Sequence, residues 1–522
     1  MAKPLPRAGR DAPALPDSRP LVPWPRRPRI EQDSLPAIEP VPSEPQLAQP
    51  FATPVAEDIT NPALAAEEAL AGQGALPATA RSRLRRQVLA LSWPVIVENL
   101  LQSLIGFVDT ALVGHLGTDA LAGVGGAQQI TWLVTTLLSA VMMGATVLVA
   151  HAIGAGNGAE ARRTFRQALL LSAGVAAILT VTLYALALPF VDFLGLDHQA
   201  AADGVLYLQI SGLITPVMVG MFVGSAVLRG TGDTRTPMFI TAFINVINAG
   251  AAWALIYGAG PIPALGVAGS AWAAGIARLV GCALLLWVFL RPTHVLSLRE
   301  RIPWRLDRSL VRRMLGIGIP TAGEQFMMSL GITLYGIIVI GLGTQVYATQ
   351  RASMMIVQMS FLPGFGFAMA ATTLVGQALG AGRVRQAEEG VWIAARWCVA
   401  MMSLIGAGFA LFGEPLMHLF TDDPAVAKLG GEVLAIICWN QPFMGLGNVL
   451  AGGLRGAGDT RYPMWVTMIG IWLVRLPVGW FLGVALGLGL HGIYAVYVGD
   501  AFVRSMLMLY RWRRGRWKTM QV

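Results

Sequence analysis

The sequence predicts an all-α integral membrane protein: twelve transmembrane helices in two parallel-repeat six-helix bundles around a central cleft. Three observations carry this expectation. Apolar residues make up 55 % of the chain, charged residues 13 %, and the mean hydropathy is +0.60; a soluble domain carries about twice that charge. The 522 residues suffice for a dozen spans of ~20 apolar residues each. Finally, the chain contains one stretch twice. Residues 228–238 read LRGTGDTRTPM and 454–464 read LRGAGDTRYPM, 226 positions apart. The same offset pairs Pro94 with Pro320, Glu98 with Glu324, and LVAHAIGAG at 148–156 with LVGQALGAG at 374–382. A single offset over so long a stretch marks a duplicated and fused unit.

Residues 1–80 differ from the rest. They hold about half of the 31 prolines and mixed charges, and no apolar run follows an early charge as in a signal peptide. The expectation is a disordered, Pro-rich cytoplasmic tail. Beyond the basic knot Arg81, Arg83, Arg85 and Arg86, apolar runs cover 88–114, 124–152, 165–194, 202–228, 237–258 and 264–290. A second set covers 314–342, 350–379, 391–420, 430–454, 463–486 and 489–510. The first bundle is thus expected over 81–290 and the second over 314–510. Between them, 291–313 is arginine-rich and is expected to lie along the inner membrane surface. Residues 511–522 form a basic cytoplasmic end.

The net charge is +9, which could suggest nucleic acid, but its distribution argues for a membrane and against a nucleic-acid partner. Nearly all of the positive charge is arginine. It recurs in alternate loops, at Arg162 and Arg163, Arg229 and Arg235, the 291–313 linker, Arg383 and Arg385, Arg455 and Arg461, and Arg511 to Arg516. Of the intervening loops, only 421–429 has a positive residue, Lys428. The positive-inside rule then places both termini in the cytoplasm of a cell-membrane protein. Each copy has an even number of spans, so both enter the membrane in the same sense, an arrangement suited to rocking of one bundle against the other. Cys282, Cys398 and Cys438 lie inside apolar runs and form neither a disulfide framework nor a metal spacing. No cofactor or metal-cluster motif is present.

Carboxylates within spans are costly and point to function. Glu98 and Asp109 fall on one face of the first helix, about 16 Å apart along its axis, with Gln102 one turn beyond Glu98. The second copy repeats Glu98 as Glu324 but has Tyr335 where Asp109 stood. Paired glutamates suit a shared structural part, although either could also take part in coupling. An unpaired aspartate suits a specialised ion or proton site, and Asp109 could hold H+ or Na+. Gln102 and Tyr335 are candidates for the cleft surface. Arg229, Asp233 and Arg235, with their twins Arg455, Asp459 and Arg461, read as a polar loop between helices, with Pro237 and Pro463 near the first turn that follows. Asp500 and Arg504, one turn apart, are expected to pair.

The VDTALVGHLG of 108–117, the GAG of 154–156 and 380–382, the GVAGSAW of 266–272 and the twin LRGxGDTRxP together resemble the multidrug and toxic compound extrusion (MATE) transporters over roughly 85–510. The RLP of 475–477 is closer to their DinF-like branch. The resemblance implies a secondary antiporter that exports bulky, often cationic organic compounds, driven by H+ or Na+ and working as a monomer in the bilayer. It matches the family's first-helix aspartate to Asp109 and its fifth-helix asparagine to Asn248. Ala252 replaces the aspartate that DinF-like members often carry one turn later. Alternative readings are a flippase for lipid-linked sugars, which would want a basic cavity, and a membrane transferase, which would want clustered His or Asp.

Overall fold

The computed structural model describes residues 77–520 except 194, 196, 260–262 and 300–303. These belong to one compact unit, 50–522. The expected tail lies outside the described residues up to position 76. The first helix, α1 (Ala78–Gly114), begins ten residues before the apolar run, so the basic knot is helical. An arginine-bearing turn can extend a helix beyond the hydrocarbon because straight-chain residues lose little freedom in it.

Helix α2 (Thr118–Thr136) and helix α3 (Leu138–Gly154) share the second apolar run, with the break at Leu137. Then come α4 (Gly158–Ala185), the short α5 (Ala187–Phe193), α6 (His198–Thr231), α7 (Arg235–Tyr257) and α8 (Gly266–Leu290). The second copy gives α9 (Arg308–Ile340), α10 (Thr344–Gly380), α11 (Val384–Met417), α12 (Pro424–Ile437) and α13 (Asn440–Gly456). It continues with α14 (Arg461–Met468), α15 (Leu476–Trp480) and α16 (Gly489–Arg513). Ten of these are long and apolar enough to span a membrane, counting Arg461–Ala485 as one. The pair α12 and α13, bent by 50°, is an eleventh, and α2 with α3 occupies the remaining apolar run.

Besides the break at Leu137, three expectations need correction. The 165–194 run is two helices, and the 430–454 run starts at Pro424 and bends between α12 and α13. The 291–313 linker is shorter than expected. Turns occupy its first described residues, and Arg308, Arg312 and Arg313 already belong to α9. Pro292 opposes a helix at the linker's start. The linker packs back on α4: Arg162 donates to the Val295 carbonyl at 3.1 Å, Arg166 to Leu298 at 3.2 Å and Gln167 to Arg305 at 2.7 Å. Burial pushes the His294 pKa down, and its Nδ1 accepts the Leu296 N–H.

The starts of α1 and α9 are exchanged between the copies. Ala80, Leu84, Val88 and Leu91 are buried in a core made otherwise of second-copy residues. Leu310, Met314 and Ile317 are buried in a first-copy core. Helix α1 therefore packs on α7 within its copy and on α10 across the interface, while α9 packs on α14 and on α3.

Candidate functional site

The repeated motif does more than turn the chain. Gly232 (φ 91°) and Gly458 (φ 88°) end α6 and α13 in a conformation that favours glycine. This brings Arg229 and Arg455 to the same place in each copy. Arg229 grips Glu98 at 2.9 and 3.0 Å, and Arg455 grips Glu324 at 2.8 Å to each oxygen. Thr467 donates a further bond to Glu324 at 2.9 Å. Asp233 accepts from the Thr236 N–H and hydroxyl, and Asp459 accepts from Arg511 at 2.8 Å. Arg235 and Arg461 are exposed.

The same motif meets the other copy. The His151 Nε2 donates to the Gly456 carbonyl at 2.8 Å, and the Gln377 Nε2 donates to the Gly230 carbonyl at 3.0 Å. These are two instances of one contact, because both donors and both acceptors are related by the repeat offset. Thr373 adds a bond to the Arg229 carbonyl at 3.0 Å. Glycines allow the approach: a Cβ on Gly154 would overlap the Gln377 backbone, one on Gly380 that of His151, and one on Gly318 that of Ala140. The His151, Gln377, Gly154 and Gly380 contacts lie beside loops that carry arginines, and there the two copies touch. Gly154→Leu should therefore force the copies apart there. Spin labels at Ala155 and Ala381 should report a longer and broader distance in the variant than in the parent. An unchanged distance would mean that the packing relaxes some other way.

Asp109 stands apart. The buried acids among the described residues are Glu98, Asp109, Glu324, Asp459 and Asp500. Four of them bond to arginine. Asp500 accepts from Arg475, at 3.0 Å through Nε and more closely through Nη2, and lies 3.1 Å from Arg504. Asp109, 3 % exposed, instead accepts from the neutral Asn248 amide at 2.9 Å. Asn248 Oδ1 is buried without a hydrogen-bond partner. Ala252 is fully buried one turn on. Arg278 and Tyr207 lie within electrostatic reach of this pair, and Tyr207 bonds to Gln128. Sequence reasoning missed Tyr207 and Gln128. A tyrosine and a glutamine in unrepeated apolar context give no signal.

The second copy fills the corresponding space differently. Tyr335 is 3 % exposed and donates to the Ile493 carbonyl at 2.9 Å, so it lies inside the bundle rather than on a cleft surface. Gln102 is half-buried. Arg475 ends a π-helical stretch, Ile469–Arg475, beside Pro477. The wider turns bring it to Asp500 and over the Tyr497 ring at 4.0 Å. No group of three or more His, Cys, Asp or Glu that could hold a metal occurs among the described residues.

Two sequence-related helical bundles that span a membrane, pack on each other and bury a carboxylate to which no arginine is hydrogen-bonded have the architecture of a secondary transporter. The MatE family model matches residues 94–254 and 320–481, more than half of the chain. A probable multidrug resistance protein NorM of Thermotoga maritima is 34 % identical over 449 residues, covering 85 % of this chain and 95 % of its own. The multidrug resistance protein PmpM of Pseudomonas aeruginosa is 28 % identical, covering 78 % and 87 %. A crystal structure of MATE in the bent conformation superposes with a TM-score of 0.77 at 22 % identity, covering 84 % and 97 %. The chain belongs to the MatE family; it is a multi-pass membrane transporter and not an enzyme.

Proposed function

We propose that the protein is a proton-coupled antiporter that exports bulky, often cationic organic compounds, with Asp109 as the coupling group. The carrying observation is that Asp109 alone among the buried acids described is held by a neutral amide rather than by arginine. An acid bonded to arginine has its counter-charge fixed beside it, whereas one held by an amide has none bonded to it and is suited to gain and lose a proton. The similarity to NorM and PmpM supports drug export. A proton suits the donor set better than Na+, which prefers several oxygens; here Ala252 supplies none and Arg278 adds positive charge nearby.

The coupling runs through α1. The charged Asp109–Asn248 bond ties α1 to α7, and a bond to an ionised acceptor contributes about 1.5–3 kcal/mol against about 1 for a neutral one. Protonation weakens that tie. The other half of α1 packs on α10 of the second copy, so a change of its seating alters the contact between the copies. A proton that binds one arrangement better than the other shifts the balance between them. The compound to be exported binds best where Asp109 is ionised. Arginine alternation supports cytoplasmic termini, so the end where the copies touch beside the arginine-bearing loops would face the cytoplasm. Reagent applied from outside should label Thr118→Cys and spare Arg385→Cys; the reverse pattern would refute this orientation.

The flippase reading is weaker, because Arg475 and Arg504 are both engaged with Asp500 and so offer little to a pyrophosphate. A drug-susceptibility panel in a transporter-deficient host tests the function. Reduced susceptibility to several unrelated organic cations is expected. No change across the panel would overturn the export reading.

A further inference from the structure

We propose that the first copy carries a binding site for a phosphate-bearing anion at its arginine-rich end, separate from the transport path. A cavity of about 970 Å³ lies between the start of α4, the linker and the start of α9. Arg163, Arg166, Arg305, Arg308 and Arg313 line it, against only Glu160 and Asp307. Those two acids are already occupied. Asp307 pairs with Arg163 at 3.2 Å and caps α9 through the Ser309 and Leu310 N–H groups. Glu160 lies 3.5 Å from Arg313. Arg305 and Arg308 are exposed and have no ion-pair partner among the described residues. Arg305 and Arg308 thus add two positive charges that neither acid of the wall balances. Two long helices, α4 and α9, also begin at it and add the positive ends of their dipoles.

The repeat argues that this charge is not incidental. The twins of Arg162 and Arg163 in the second copy are Glu388 and Glu389. Both are satisfied by the chain itself, Glu388 by Lys518 at 2.6 Å and Glu389 by Arg81 at 3.1 Å. The same position is therefore acidic in the second copy and basic in the first. Phosphate matches guanidinium groups through paired hydrogen bonds. The rim points to an anionic phospholipid as the source. Trp304 is 53 % and Leu306 59 % exposed beside the cavity, with Arg166 over the Trp304 ring at 5.6 Å. Tryptophan is favoured at the headgroup level, and basic pockets beside membrane helices take anionic headgroups. A lipid bound there would tie α4 of the first copy to the chain entering the second.

The test uses the full-length protein, purified in neutral detergent, with three arms: phosphatidylglycerol, phosphatidylcholine and inorganic phosphate. Native mass spectrometry and the thermal unfolding midpoint are read together. The parent should retain phosphatidylglycerol at a saturable site and rise in midpoint, and phosphatidylcholine should do neither. The triple variant Arg163→Gln, Arg305→Gln, Arg308→Gln should bind roughly a hundredfold more weakly, from about fivefold per arginine. These side chains lie at the surface, so the variant should keep the parental midpoint without lipid. A second triple, Arg83→Gln, Arg85→Gln, Arg86→Gln, removes the same charge elsewhere on the arginine-rich end and should bind as the parent does. A saturable effect of inorganic phosphate alone, lost in the first triple, would support the site with a soluble anion as its ligand. Equal losses in both triples, or no saturable binding in any arm, would overturn the proposal.

Discussion

Asp109→Asn should reduce ion-driven efflux to the level of cells that lack the protein. The variant keeps the size of the side chain and can still bond to Asn248, so it should insert and purify like the parent. It removes the one buried acid described that arginine does not hold. Glu98→Gln should act through a different route. It leaves the half-buried Arg229 without its carboxylate partner, so reduced protein levels should accompany any loss of transport. The distinction is read by measuring membrane-resident protein and efflux in the same cells. Low levels of Asp109→Asn would mean that the aspartate is a packing element.

The second large effect is expected at Asp500, which is fully buried between Arg475 and Arg504. Asp500→Asn leaves both guanidinium groups facing each other in a low-dielectric interior. Removing one partner of a buried pair costs about 3–5 kcal/mol, enough to lower the thermal unfolding midpoint in detergent substantially. Adding Arg475→Gln should restore part of the loss, because it removes one of the stranded charges. A midpoint within error of the parent for Asp500→Asn would show that water or lipid headgroups reach the site.

Much of this arrangement was legible because the chain repeats. The offset that pairs Glu98 with Glu324 also pairs Arg229 with Arg455, and the structure joins them as twin ion pairs. It could not be read beforehand, because the partners lie 131 residues apart and nothing local marks a long-range pair. His151 and Gln377 were visible as polar letters in matching apolar stretches, yet their meaning depends on an interface that only packing reveals. The break at Leu137 has no proline or glycine beside it to announce it, so a continuous apolar run concealed it, whereas Pro442, which cannot donate to the Cys438 carbonyl, marks the break between α12 and α13. Tyr335 looked like a cleft residue because it replaces Asp109. Its hydroxyl instead finds a backbone carbonyl inside the bundle, where a tyrosine can be buried once that group is paired.

The central claim is that a proton leaves or enters Asp109 as the exported compound binds. It can be measured directly on purified protein in weakly buffered detergent solution, by following pH while a transported cation is added. The parent should release protons in a saturable amount, unaffected by replacing Na+ with K+, and Asp109→Asn should bind the compound more weakly and release none even at saturation. Equal proton release from Asp109→Asn, or release that requires Na+, would contradict the account.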